Sequence, residues 1–122
     1  MSDSRVSGTL DHAALDTLME MGGDDPSFLA EMIDTFIEEA PGLIADMQTA
    51  ATSADVDSLR RAAHTLKSNS LTFGAVRLGD LSREIEERAT RSQIGDIGEL
   101  INLVVEEYPA VAAALEMERP ES

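Results

Sequence analysis

Val56-Asp57-Ser58-Leu59-Arg60-Arg61-Ala62-Ala63-His64-Thr65-Leu66-Lys67-Ser68-Asn69-Ser70-Leu71-Thr72-Phe73-Gly74 is the stretch whose reading decides the fold. Val56, Leu59, Ala63, Leu66, Ser70 and Phe73 step by 3, 4, 3, 4 and 3 residues. That rhythm places them on one stripe of a helix and makes the stripe a bundle seam with one polar member, Ser70. Asp55 stands where an N-cap is needed. Gly74 can take positive φ and end the helix. A second stripe, Ala75, Leu78, Leu81, Ile85 and Ala89, starts at once. So short a connection makes the two helices antiparallel neighbours.

The same reading extends outward. Ala14, Leu15, Leu18 and Met19 mark a short first helix from about Asp11 to Met21, stopped by Gly22-Gly23. Asp25 caps a second helix that opens on Pro26, with Phe28, Leu29, Met32, Ile33, Phe36 and Ile37 inward. Pro41 is expected to break it and open a separate helix carrying Leu43, Ile44 and Met47. At the other end, Ile97, Ile101, Val104, Tyr108, Val111 and Leu115 keep one phase across Pro109, which predicts a single kinked helix from about Asp96 to Glu118. The expected architecture is all-α: an antiparallel up-and-down four-helix bundle with a short extra N-terminal helix. Residues 1–10 and 119–122 are expected to be flexible ends around one domain at 11–118.

Composition agrees. The chain has 122 residues, 43% of them apolar but only 3% aromatic, so the core is built from aliphatic side chains and Met. With no Cys, disulfides and thiolate metal sites are excluded. The polar N-terminus does not read as a signal peptide, and no apolar run is long enough to span a bilayer. A cytoplasmic monomer is expected. The net charge of −15 argues against nucleic acid and anionic membranes as partners.

The distribution of charge says more than its sum. Residues 60–83 carry Arg60, Arg61, Lys67, Arg77 and Arg83 against Asp80 alone, a net of +4 in a chain whose remainder carries −19. Lys67 is the only lysine, and His64, one of two histidines, lies in this segment. His64 follows the seam residue Ala63, which puts it at the edge of the buried stripe, partly exposed. Its helix-surface neighbours are Arg60, Arg61, Lys67 and Ser68. Three cations around an uncharged imidazole suit a nucleophile that must receive an anionic group. Counting equal distances from Gly74 sets residues 84–86 opposite His64, where a carboxylate could accept from one ring nitrogen and fix the tautomer, or equally repel a phosphoryl group. Leu71 lies on the His64 side of its helix and is a docking candidate. A lone histidine on a helix is more often an ordinary surface residue, and arginines beside it more often simply face solvent.

The run Ala62-Ala63-His64-Thr65-Leu66-Lys67-Ser68-Asn69-Ser70-Leu71-Thr72-Phe73-Gly74-Ala75, followed by Leu78 and Leu81, resembles a histidine-containing phosphotransfer domain. The segment Phe28-Leu29-Ala30-Glu31-Met32-Ile33-Asp34-Thr35-Phe36 is similar to the helix that precedes the motif in that family. The resemblance implies a four-helix bundle, phosphorylation of His64, and support of the phosphoryl group by Lys67. Ser68 takes the place of a frequent glycine, Gly74 and Ala75 match the Gly-Ala that follows the motif, and Glu86 matches a neighbouring position that is often an uncharged hydrogen-bonding residue. The implied role is relay between receiver-domain aspartates of a multistep two-component pathway, with response-regulator receivers and a hybrid histidine kinase as partners. No cofactor of its own is implied, Mg²⁺ being expected on the partner receiver. No Gly-rich phosphate loop is present, so the chain reads as a carrier without its own turnover. The alternatives are the phospho-accepting domain of a larger histidine kinase and a helical adaptor in which His64 is incidental. A bundle metalloenzyme lacks its Glu-x-x-His motif, since Arg61 stands three residues before His64.

Overall fold

A computed structural model describes residues 9–120. Five helices follow one another: α1 His12–Met21, α2 Pro26–Thr52, α3 Val56–Thr72, α4 Val76–Thr90 and α5 Ile97–Glu118. Three of them begin on aspartate caps. Asp11 accepts from the Ala13 N–H, Asp25 from Ser27 and Asp55 from Ser58, each satisfying a donor that the first helical turn cannot. Helices α2 to α5 form the bundle, each packed on its two neighbours, with α3 and α4 the most extensively paired. Helix α1 lies against α2 and α3. The core is the aliphatic set the periodicity marks, including Ile33, Leu59, Leu66, Leu78, Ile85, Val104 and Leu115, all fully buried. Among the described residues no helix is long and apolar enough to cross a membrane.

Two expectations are corrected. Pro41 does not open a new helix: α2 runs unbroken for 27 residues with Pro41 inside it. Proline there removes the N–H that would bond the Ile37 carbonyl. The Tyr108 hydroxyl of α5 donates to that carbonyl at 3.2 Å instead, so the freed acceptor is satisfied from a neighbouring helix. Pro41 itself is exposed, where its ring meets solvent. Helix α5 continues through Pro109 as one helix, as the unbroken phase of its apolar stripe predicts.

The ends are the second correction. Leu10, assigned to a flexible N-terminus, is buried in the core, and the Asp11 N–H donates to the Gly74 carbonyl at 2.7 Å. Arg119, assigned to a flexible C-terminus, forks onto both carboxylate oxygens of Asp34 at 2.8 Å. Residues 1–8 and 121–122, the rest of those assignments, lie outside the described residues.

Gly74 ties the end of the bundle together. Its φ is +77°, and a Cβ there would strike the Asp11 carbonyl oxygen. Both the backbone angle and the close approach of α1 therefore require glycine. Ala75 beside it is fully buried.

Candidate functional site

The site grows from the α3–α4 hairpin. Ser70 and Ser82 are fully buried small residues, and Gly79 sits so close to Leu71 that a Cβ would come within 2.6 Å of its Cδ2. Small residues at these positions let the two helix backbones approach closely. With Leu71 beside Gly79, the antiparallel register carries His64 to Glu86. On α3, buried Ala63 and Leu66 fix the orientation of the turn, and on α4 buried Ile85 and Ala89 do the same. The residues one step off those anchors, His64, Lys67 and Glu86, therefore meet at the rim of the groove between the helices.

Glu86 uses both oxygens. Oε2 lies 2.8 Å from His64 Nδ1, and Oε1 lies 2.8 Å from Lys67 Nζ. The carboxylate is sheltered, its side chain 19% exposed, whereas the His64 side chain is 56% exposed. Burial pushes the Glu86 carboxyl up, but the hydrogen bonds from Lys67 and His64 and their charges outweigh it and hold the group below the ordinary carboxylate value. An ionised carboxylate only accepts, so Nδ1 is the donor. In the neutral ring the lone pair is then on Nε2, the nitrogen directed away from Glu86. The arrangement presents an aromatic nitrogen nucleophile at the surface, with its tautomer set from behind and one cation a helical turn away.

The ring of three cations expected from spacing resolves into one. Lys67 joins His64 through Glu86. Arg60 instead reaches back to Asp57 on its own helix, at 3.9 Å. Arg61 faces the groove between α2 and α3 that Asp46, Asp55 and Thr65 also line. Helix periodicity makes all three neighbours of His64, but the partner that each long side chain selects is a tertiary matter. Ser68 is exposed one turn beyond His64, leaving open space beside the ring. Leu71 is 44% exposed, as a docking residue needs to be. Val76, in the first turn of α4, is 48% exposed at the same end of the hairpin and was not singled out from sequence. Also unanticipated is a shallow depression beside the Lys67–Glu86 pair, lined by Arg83, Thr90 and Arg91. Their spacing of −3, +4 and +5 from Glu86 was the available signal.

The remaining histidine, His12, is half-buried and stands 3.5 Å from Glu118. Among the described residues no group of three or more His, Asp or Glu side chains is arranged to hold a metal ion.

Known proteins share this arrangement of helices. The pattern described as Hpt domain matches residues 31–117. Multistep phosphorelay regulator 1 of Schizosaccharomyces pombe is 31% identical over 78 residues, which are 63% of this chain and 26% of that protein. The chain thus spans about a quarter of that relative's length. The crystal structure of histidine-containing phosphotransfer protein B (HptB) from Pseudomonas aeruginosa PAO1 superposes with a TM-score of 0.84 at 28% identity, covering 93% of this chain and 96% of that one. The histidine-containing phosphotransfer domain of ArcB from Escherichia coli shares the fold, with a TM-score of 0.76 at 21% identity over 93% of this chain and 95% of that one.

Proposed function

The chain belongs to the Hpt domain family, and from that premise we propose that it carries a phosphoryl group on Nε2 of His64 and relays it between receiver-domain aspartates of a multistep phosphorelay. The observation that carries this reading is the pairing of an exposed imidazole with a sheltered carboxylate at Nδ1. Such a ring has one free nucleophilic nitrogen, and it faces solvent. A phosphorylated receiver docks over it, using Leu71 and Val76 as apolar contacts. The Nε2 lone pair attacks phosphorus in line, the N–P bond forms, and the O–P bond of the aspartyl phosphate breaks with its electron pair returning to the receiver carboxylate. Lys67 lies one turn away and offsets the charge that builds on the transferring oxygens. Ser68 leaves room for the partner, and Arg60 and Arg61 add positive potential to the approach. A second receiver removes the group by the reverse step.

In this reading the protein is a carrier without nucleotide site or turnover of its own, and the Mg²⁺ that assists the chemistry sits in the receiver. Hybrid histidine kinases and response regulators supply the partner domains. The strongly acidic surface, at −15, disfavours nucleic acid and anionic membrane and suits a cytoplasmic monomer. The test is transfer from a panel of phosphorylated receiver domains to wild type and His64→Gln in parallel. Acid-labile label on wild type alone is the expected result. Equal label on both, or none on a folded wild type from any competent donor, overturns the assignment.

A further inference from the structure

We propose that the Ser68 hydroxyl donates a hydrogen bond to an oxygen of the phosphoryl group on His64 Nε2, and so stabilises the loaded form of the protein. The proposal rests on the carrier reading above and deepens it, giving the small residue beside the ring a chemical part as well as a spatial one.

The geometry starts from the two flanks of α3. His64 stands between the grooves on either side of that helix. Lys67 lines the depression toward α4, while Arg61 and Thr65 line the groove toward α2. At about 100° per residue, Lys67 projects about 60° from His64 on the α4 side, and Ser68 about 40° from it on the α2 side. Glu86 takes Nδ1 from the α4 side, at 2.8 Å. Nε2 is therefore turned toward the flank on which Ser68 lies. Along the axis, helical side chains lean toward the N-terminus, so Ser68 leans over the turn that carries His64, the two Cβ atoms being about 5–6 Å apart. A phosphoryl group bonded to Nε2 enters that space.

The hydroxyl is available to meet it. On this hairpin Thr72, Ser82 and Thr90 each donate to the carbonyl four residues back, at 2.9 Å. Ser68 makes no such bond to the His64 carbonyl, and among the described residues its exposed hydroxyl has no partner. The cations on the same helix are drawn elsewhere: Lys67 Nζ is held by Glu86 Oε1 at 2.8 Å, and Arg60 reaches Asp57 at 3.9 Å. Glycine at position 68 would leave the same room and supply no donor.

As the N–P bond forms and the aspartyl O–P bond breaks, the phosphoryl oxygens keep their negative charge. Ser68 Oγ–H donates to one of them and retains its proton, so the balance of the step is unchanged. A hydrogen bond to a charged acceptor is stronger than one between neutral groups. The unloaded ring offers the hydroxyl no such acceptor, so the bond favours the phosphorylated form alone. Its effect falls on the equilibrium between aspartyl phosphate and phosphohistidine.

The experiment measures that equilibrium for full-length wild type, Ser68→Ala and Ser68→Gly against one receiver, approached from both directions. The proteins are kept dilute enough to be dissociated, so contacts made only in the docked complex cannot move the ratio. Thermal unfolding is recorded alongside; alanine is the best helix former, so Ser68→Ala should keep its melting temperature. The ratio of phosphohistidine to aspartyl phosphate is expected to fall about fivefold in both variants, the loss of one hydrogen bond. A ratio for folded Ser68→Ala within about twofold of wild type, or above it, overturns this inference and leaves the carrier reading standing, with Ser68 only making room. Ser68→Ala decides the matter even where the glycine variant folds poorly. No label on wild type from a competent donor overturns the carrier reading, and this inference with it.

Discussion

At the scale of single residues, what matters about His64 is that its backbone position and its ring serve different ends. Ala63 and Leu66 lock the helix face, so the ring can stay 56% exposed without loosening the core. His64→Gln should therefore abolish phosphorylation while changing stability by no more than about 0.5 kcal/mol, as for an exposed surface position. Thermal unfolding beside a phosphorylation assay checks both halves, and a large drop in melting temperature would make His64 a structural residue. Lys67→Ala removes one charge-assisted contact worth about 1.5 kcal/mol, so transfer should slow by about tenfold. Single-turnover kinetics with a phosphorylated receiver measure it, and an unchanged rate would remove Lys67 from the site. The position of His64, its exposure and the cationic character of its segment were legible in the sequence. The capture of Lys67 by Glu86 was not, because two residues 19 apart are brought together only by the register of the hairpin.

At the scale of elements, the two prolines show how far a local rule reaches. Proline inside a helix removes one donor and crowds one carbonyl, which alone would end α2 at Pro41. The helix continues because Tyr108 supplies the missing donor from α5. Burial raises the Tyr108 hydroxyl pKa, with Glu116 adding to it, so the group stays a donor through the neutral range. Tyr108→Phe should cost about 1 kcal/mol by leaving the Ile37 carbonyl unsatisfied. The cost should shrink in a Pro41→Ala background, where the restored backbone N–H can reach that carbonyl. Equal costs in the two backgrounds, measured by urea denaturation, would show that the hydroxyl does not replace the lost bond.

At the scale of the whole molecule, stability follows charge. Glu86 is held below its ordinary value by Lys67 and His64, against the opposing effect of burial. Asp34 is held down by the hydrogen bond from Arg119, and Asp55 by those from Ser58. A carboxyl whose folded value is depressed binds protons less readily folded than unfolded. Its stabilisation is complete above the unfolded value and is lost as pH falls through the folded one. Denaturant midpoints should therefore decline on acidification below the ordinary carboxylate range, and Asp34→Asn should flatten part of that decline. A midpoint that rises as pH falls below the ordinary carboxylate range would contradict this sign. The net charge of −15 adds self-repulsion at neutral pH, so moderate salt should raise the melting temperature.

By itself the sequence determined the class of fold, the faces of the helices, the hairpin at Gly74 and the histidine on its rim. These follow from periodicity and backbone preference, which act within a few residues of one another. Only the tertiary structure decided the rest. It placed Leu10 in the core, clasped Arg119 on Asp34, carried α2 through Pro41, and drew Lys67 onto the same Glu86 carboxylate that counting from Gly74 sets opposite His64. Each of these depends on which group a neighbouring helix brings within hydrogen-bonding or packing distance, and that is fixed by register and close approach, to which a linear pattern is blind.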